Sequence, residues 1–480
     1  MAATTLALPE ELRGFGTDVS PTFRALARAD SKTVEPCLLK DDSRTPEACY
    51  TARGTDFVNA APIPRDRYFS REFAALELEH VWKKCWQIAA REEEIPEVGD
   101  RVEYTVGTMS FIIIRSAPDR IKAFWNSCLH RGTRLCSKFG AGDQIRCPFH
   151  AWSWNTDGSP RNLPGLWDFP ELVREQMSLP EARCETWGGN VFINPDPDCG
   201  PLEDALGVLV EHFKDYDYAN RWTAVHVRKK VRGNWKVSME AFLEGWHLSE
   251  THPQAQAWNG DSSSQYDIWE NDAAQVSRSV TPSAVPSPEL GAAADARRAV
   301  IETIQSVTPP GVDLPDFDTV EPLDRAFAAE WRRGLLAAMT GRDCSGHSDT
   351  HMLDAVQYFM FPNFCPWLGE GLPLTYLFRP DADSPDTCYM DAWMLVRVPD
   401  DAPRPPAGTL IELGPDEPFE PHIGAMGTIF DQDDFNMPMV QIGMQMWPDE
   451  LAGVTLGRYQ ESRIRMLHRM VETWLGRPPG

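Results

Sequence analysis

Between residues 68 and 90 the apolar positions Phe69, Phe73, Leu76 and Val81 recur at near-helical spacing, and Ser70 stands where an N-cap belongs. From about 100 to 194 the texture changes. Short apolar runs at 102–106 and 111–114 are separated by turn residues, and Trp152-Ser153-Trp154 leads into Asp157-Gly158, a hairpin signal. This predicts a small all-β module. Beyond 200, helix and strand mix. A basic strand over 226–232 precedes a helical segment over 235–249, and strands return near 358–361, 374–379 and 389–398. A closing helix over 458–475 carries Ile464, Leu467, Val471 and Leu475 on one stripe. No internal repeat is present.

The pattern divides the chain in three: an extension over 1–64 packed on the surface, a β-rich module with a leading helix over 65–200, and a mixed domain over 201–480. The 480 residues hold 46 Lys+Arg against 71 Asp+Glu, a net charge of −25. That balance repels nucleic acid and anionic membranes at long range, so neither is the main partner. With 42% hydrophobic residues the chain can bury a large core, which excludes disordered and fibrous classes. Residues 1–10 show no basic leader, and the apolar run at 111–114 is far shorter than the roughly 20 residues a spanning helix needs. A soluble, cytoplasmic protein is expected. Eleven cysteines are an odd number and too sparse for a disulfide scaffold.

Two of those cysteines stand beside histidines, in Cys128-Leu129-His130 and Cys147-Pro148-Phe149-His150. Two thiolates and two imidazoles on paired loops make a four-ligand site. Zinc would take all four on one ion. A two-iron, two-sulfur cluster would take both cysteines on one iron and both histidines on the other, which raises its reduction potential over an all-cysteine cluster. Cys136, between the pairs, reads as a packed apolar residue. Arg131, Arg134, Lys138 and Arg146 form a basic collar suited to an acidic electron donor.

A second constellation follows. On a helix over 235–249, Glu240, Glu244 and His247 share one face, an expensive arrangement unless it serves a metal or a network. His252 lies five residues beyond His247, and Pro253 pushes it out of helical conformation, so that it can turn to face His247. Two imidazoles plus a carboxylate make the facial triad of oxygen-activating non-haem iron. The carboxylate must come from elsewhere, and the best downstream cluster is Phe430-Asp431-Gln432-Asp433-Asp434.

With His-Arg-Gly after the first pair and Cys-Pro-Phe-His-Ala-Trp around the second, and the iron motif following in order, the chain resembles the α (oxygenase) subunit of Rieske non-haem iron oxygenases. The resemblance implies an α+β fold: an all-β Rieske domain plus a catalytic domain of helix-grip type, an antiparallel sheet around a long C-terminal helix. It implies one 2Fe-2S cluster on Cys128, His130, Cys147 and His150, and one mononuclear Fe(II) on His247, His252 and Asp434. Glu244 takes the place of an acid that links the two metal sites, across a subunit boundary to His150. A homotrimer follows, with or without a small β subunit. No reductase motif is fused here, so a separate ferredoxin or reductase supplies electrons.

The implied reaction is hydroxylation of an apolar aromatic or alicyclic compound in a pocket lined by Phe430 and flanked by Phe242, Leu243, Leu248 and Met437. A demethylase or quaternary-amine monooxygenase is the alternative, with Trp246 and Trp258 available for a cation cage. A plain electron carrier or a zinc-structured protein is the third reading, and leaves the second constellation unexplained. The Pro-, Ala- and Ser-rich stretch 255–345 is expected to be partly helical and to cover the pocket entrance.

Overall fold

The structure, a computed structural model, describes residues 42–55, 62–270, 274–399, 401–451 and 453–477. Most of the expected N-terminal extension, 1–41 and 56–61, lies outside the described residues. The described part departs from a surface extension: Tyr50 is fully buried, and Arg278 donates to the carbonyls of Cys49 and Ala52.

The leading helix α1 (Arg71–Glu77) starts where expected, with the Ser70 hydroxyl accepting from the Phe73 N–H at 3.1 Å. A wide turn over Leu78–Trp82 then buries Val81 and Trp82. The first domain is a seven-stranded antiparallel sheet. Its strands are β1 (Gln87–Arg91), β2 (Arg101–Val106), β3 (Met109–Ala117), β4 (Arg120–Trp125), β5 (Phe139–Gly140), and, after an intervening small sheet, β9 (Glu181–Trp187) and β10 (Asn190–Asn194). Their spatial order is β1-β10-β9-β4-β3-β2-β5. The small sheet comprises β6 (Gln144–Arg146), β7 (Ser153–Asn155) and β8 (Pro160–Asn162). Gly158 takes the left-handed turn position (φ +86°) in the expected hairpin, where a Cβ would strike the Phe124 ring.

The second domain is built on an eight-stranded sheet. It comprises β11 (Arg221–Val231), β12 (Gln265–Glu270), β13 (Gln275–Thr281), β14 (Ala355–Met360), β15 (Cys365–Leu368), β16 (Leu374–Pro380), β17 (Cys388–Arg397) and β18 (Leu410–Leu413). The order is β12-β13-β14-β15-β16-β17-β11-β18, antiparallel except between β11 and β18. The expected single helix over 235–249 breaks early, into α2 (Trp235–Ala241) and a turn, α3 (Leu248–Thr251). Asn234 caps α2 through its side-chain oxygen, 3.0 Å from the Lys236 N–H.

The stretch 255–345 is not a cover alone. It supplies β12 and β13 at the sheet edge before turning into helices α4 (Ala296–Val307) and α5 (Arg325–Thr340). Two helices, not one, close the catalytic domain: α6 (Ala425–Met446) and α7 (Ser462–Trp474). On α7 the apolar stripe Ile464, Leu467, Val471 is buried, and Arg463 hydrogen-bonds β13 and β14 through Ser277, Ser279 and Gln357. The two domains meet in one core that runs from Trp82 and Tyr104 through Trp235 to Phe378 and Leu467. Among the described residues no helix is long and apolar enough to cross a membrane.

Candidate active site

The cysteine–histidine loops project from strand ends of the first domain and share one construction. The N–H of Gly132 bonds the Cys128 carbonyl at 2.8 Å, and the N–H of Ala151 bonds that of Cys147 at 3.2 Å. The residue closing each turn is left-handed, Gly132 at φ +77° and Ala151 at +62°. Each turn also aims backbone N–H groups at its sulfur: those of His130 and Arg131 at Cys128, and of Phe149 and His150 at Cys147. Burial still pushes the Cys128 thiol up. At Cys147 burial works the same way, but the N–H donors outweigh it and bring the thiol below its ordinary value.

Asn126 pins the first loop, its Oδ1 accepting from the N–H groups of Leu135 and Cys136 at 3.0 and 2.8 Å. Cys136 is buried in the loop core, as read from the sequence. The rings of His130 and His150 lie 4.6 Å apart, and His130 stacks on Trp152 at 4.9 Å. The Nδ1 of His130 is buried without a hydrogen-bond partner. An orphaned imidazole nitrogen beside two thiols fits a soft metal cluster in this cradle. Of the basic collar, Arg134 and Lys138 are paired with Glu103 and Glu412. That leaves Arg131, which lies over the Phe149 ring, and Arg146.

The second constellation assembles at the junction of α2, α3 and α6. Glu240 does not share the face of Glu244 and His247. The early helix break turns it to His468, 2.6 Å away on α7. Glu244 receives the N–H groups of Trp246 and His247, and its Oε1 lies 2.5 Å from His247 Nδ1. His252 leaves the helical region at φ −123°, ψ 57°, as Pro253 requires. Its Nδ1 is held by Gln432 Oε1 at 2.9 Å. The two Nε2 atoms are thereby turned inward onto one carboxylate, that of Asp433. His252 Nε2 stands 3.1 Å and His247 Nε2 3.4 Å from Asp433 Oδ1.

The structure corrects the expected third member. Asp434 faces the other way and pairs with Lys229 at 2.6 Å, while Asp431 receives the N–H groups of Phe419 and Glu420. Three neighbouring acids therefore have three destinations, and only Asp433 is brought to the histidines. Burial opposes charge at His247, but Glu244 and Asp433 raise its pKa to about 10. Burial likewise works against the Asp433 carboxylate, yet the two imidazoles hold it below its usual range. Donors about 2.0–2.2 Å from one ion stand roughly 3 Å apart, so this spacing and this negative surplus fit a divalent cation.

A cavity of about 150 Å³ opens beside these three residues. Phe242 and Phe430 meet on its wall at 5.3 Å, with Leu248, Trp258, Trp367 and Ile429 nearby. Leu243 is sealed in the core, and Trp246 is 53% exposed outside the cavity. From the expected cover, 255–345, only the start and the strand β13 reach the wall; α4 and α5 do not. Sequence reasoning missed Gln432, Gln357, Trp367 and Asn259 here. A polar residue between the acids of α6 was the one available signal for Gln432.

Two family models match this chain. The Rieske [2Fe-2S] domain model covers residues 85–172, and that of the ring hydroxylating alpha subunit (catalytic domain) covers 213–477. Among relatives, the glycine betaine monooxygenase oxygenase subunit of Pseudomonas aeruginosa is 28% identical over 193 residues, 40% of this chain and 45% of that one. The anthranilate 1,2-dioxygenase large subunit of Acinetobacter baylyi is 30% identical over 215 residues, 43% of this chain and 45% of that one. The matched stretch thus spans about half the length of these relatives. Two solved structures share the fold at 18% identity. A quaternary ammonium Rieske monooxygenase aligns over 89% of this chain and 97% of its own, with a TM-score of 0.61. Naphthalene 1,2-dioxygenase from Rhodococcus sp. aligns over 96% and 100%, with a TM-score of 0.58.

Proposed function

This chain belongs to the ring hydroxylating alpha subunits, whose catalytic-domain model matches more than half of it, and on that premise we propose that it is a terminal oxygenase. It would take dioxygen and electrons from a separate ferredoxin or reductase and hydroxylate an apolar aromatic or alicyclic substrate. The observation that carries this reading is the convergence of His247, His252 and Asp433 beside an apolar cavity. Bound Fe(II) would supply dioxygen activation, and the 2Fe-2S cluster on Cys128, His130, Cys147 and His150 would supply electrons one at a time.

The protein's own contribution is orientation and exclusion of water. Glu244 and Gln432 fix the two iron-facing imidazoles through their Nδ1 atoms. Phe242 and Phe430 give the neighbouring space an apolar wall. His150 is exposed at the tip of its loop, free to meet Glu244 of another copy in a homotrimer, with or without a small β subunit. The second reading, a quaternary-amine monooxygenase, draws on the aromatic rings of Trp258 and Trp367 on the same wall.

The test is iron and zinc quantification with absorption and EPR spectra on the purified chain, followed by a single turnover under labelled dioxygen. About three irons per chain, a low-average-g signal on reduction and label in the product are expected. About one zinc per chain without visible absorption would overturn the proposal.

A further inference from the structure

Asp433 and Asp434 are neighbours on α6, so their side chains leave the helix about 100° apart, and a turn of that size would exchange them. The helix itself does not choose between them. Its inner face is apolar through Phe430, Met437 and Met444, but its outer face carries Phe435, Met439, Ile442 and Met446, all exposed. Burial of apolar surface therefore fixes the rotation of this helix only weakly. Its ends and backbone add little. Gly424 at the N-cap offers no side-chain bond, and Pro438 lacks the N–H that would close the helix ladder onto the Asp434 carbonyl.

Two contacts from outside the helix supply what it lacks. Lys229 Nζ meets Asp434 Oδ2 at 2.6 Å, and the Asp431 carboxylate accepts from the N–H groups of Phe419 and Glu420 at 2.7 and 3.0 Å. Three residues apart, Asp431 and Asp434 lie about 60° apart on one side of the helix, which leaves Asp433 on another. Lys229 is the firmer of the two anchors. It is buried, its strand β11 is paired on both sides, with Met390 of β17 and Leu413 of β18 opposite it, and its Nζ lies 4.8 Å from the centre of the Phe419 ring. A buried ammonium holds its carboxylate partner strongly, because letting it go strands a charge away from water.

We propose that Lys229 is a positioning residue of the iron site: by holding Asp434 it sets the rotation of this turn of α6 and so presents Asp433 to His247 and His252. This rests on the oxygenase reading, in which those three residues hold Fe(II). Lys229 touches neither metal nor substrate. It acts through Asp434, and the hydrogen bond between them is the part that carries the effect.

The experiment measures Fe(II) affinity, by competition with a chelator, on full-length protein that carries its cluster but has been stripped of mononuclear iron. Lys229→Met and Asp434→Leu each remove the tie and are expected to weaken Fe(II) binding by about tenfold or more, the size of effect seen when groups that orient metal ligands are lost. Asp434→Asn keeps an oxygen for Lys229 to bond and is expected to stay within about threefold of wild type. Cluster absorbance reports folding: should Lys229→Met or Asp434→Leu lose it, the other variant decides. Unchanged affinity in a folded variant without the tie, or a loss in Asp434→Asn as large as in Asp434→Leu, overturns this inference alone. Wild-type protein that takes up no mononuclear Fe(II) overturns the oxygenase reading and this inference with it.

Discussion

The two metal cradles are built by different means. The cluster loops lie within one short stretch, 128–150, and their geometry is a backbone property: two matched turns, two left-handed closing residues and N–H groups aimed at sulfur. The mononuclear site joins 247 and 252 to 433, and its geometry is a side-chain property: imidazoles held from behind by Glu244 and Gln432. A cradle of the first kind tolerates changes in neighbouring side chains and fails when its backbone turns are lost. A cradle of the second kind depends on the length and charge of single side chains.

The sharpest way to break this comparison is to empty each site alone. Cys147→Ser should abolish the cluster absorbance and the reduced-state EPR signal and cut product formation by at least ~10³-fold, while about one iron per chain stays behind. Loss of all iron would show the two sites to be interdependent. Next in size, Asp433→Asn should remove the mononuclear iron and product formation by ~10²-fold or more, whereas Asp434→Asn should leave iron content unchanged. The reverse pattern in metal analysis would return the ligand role to Asp434.

Glu244→Gln should keep both metals and reduce turnover by about 10–100-fold, since the proposed link between the metal sites and not the ligand set is touched; undiminished turnover would remove Glu244 from the path. Gln432→Leu should weaken Fe(II) affinity by ~10-fold, read by competition with a chelator. The smallest effect concerns pH. In the metal-free protein the His247 proton, held to about 10 against 6.5 for a free imidazole, adds stability that is fully present below 6.5 and lost as pH rises through 10. Chemical denaturation should show that loss in the metal-free protein, and iron-loaded protein should lack it.

The same contrast explains what could be read from the chain. Cys128, His130, Cys147 and His150 are visible because spacing alone places them. His252 was reachable through Pro253, a local steric rule. The choice between Asp433 and Asp434 was not, because both fit the buried rhythm of Phe430, Met437 and Met444 on α6, three or four residues from each neighbour. What separates them is Lys229, two hundred residues away in sequence. The false placement of Glu240 came from extending a helix that ends at Ala241, and its true partner His468 lies on the last helix. In residues 255–345 the helices were legible and the strands β12 and β13 were not, because their many polar positions, satisfied by Arg278 and Arg463 from within the fold, hide the alternation of a strand.

One further contact governs how this protein could be taken apart. Lys236 on α2 is fully buried against Glu77 of α1, at 2.7 and 2.9 Å, with the Trp235 indole donating to the same carboxylate at 3.3 Å. Stripping one partner from such a pair costs about 3–5 kcal/mol, because a charge is stranded without water. The segment that leads into the cluster module is therefore also a wall of the iron module. A chimera that exchanges the cluster half of this chain for that of a relative must carry α1 with the catalytic half, or replace Glu77 and Lys236 together. The workable exchange boundary lies after Trp82, not between the two sheets.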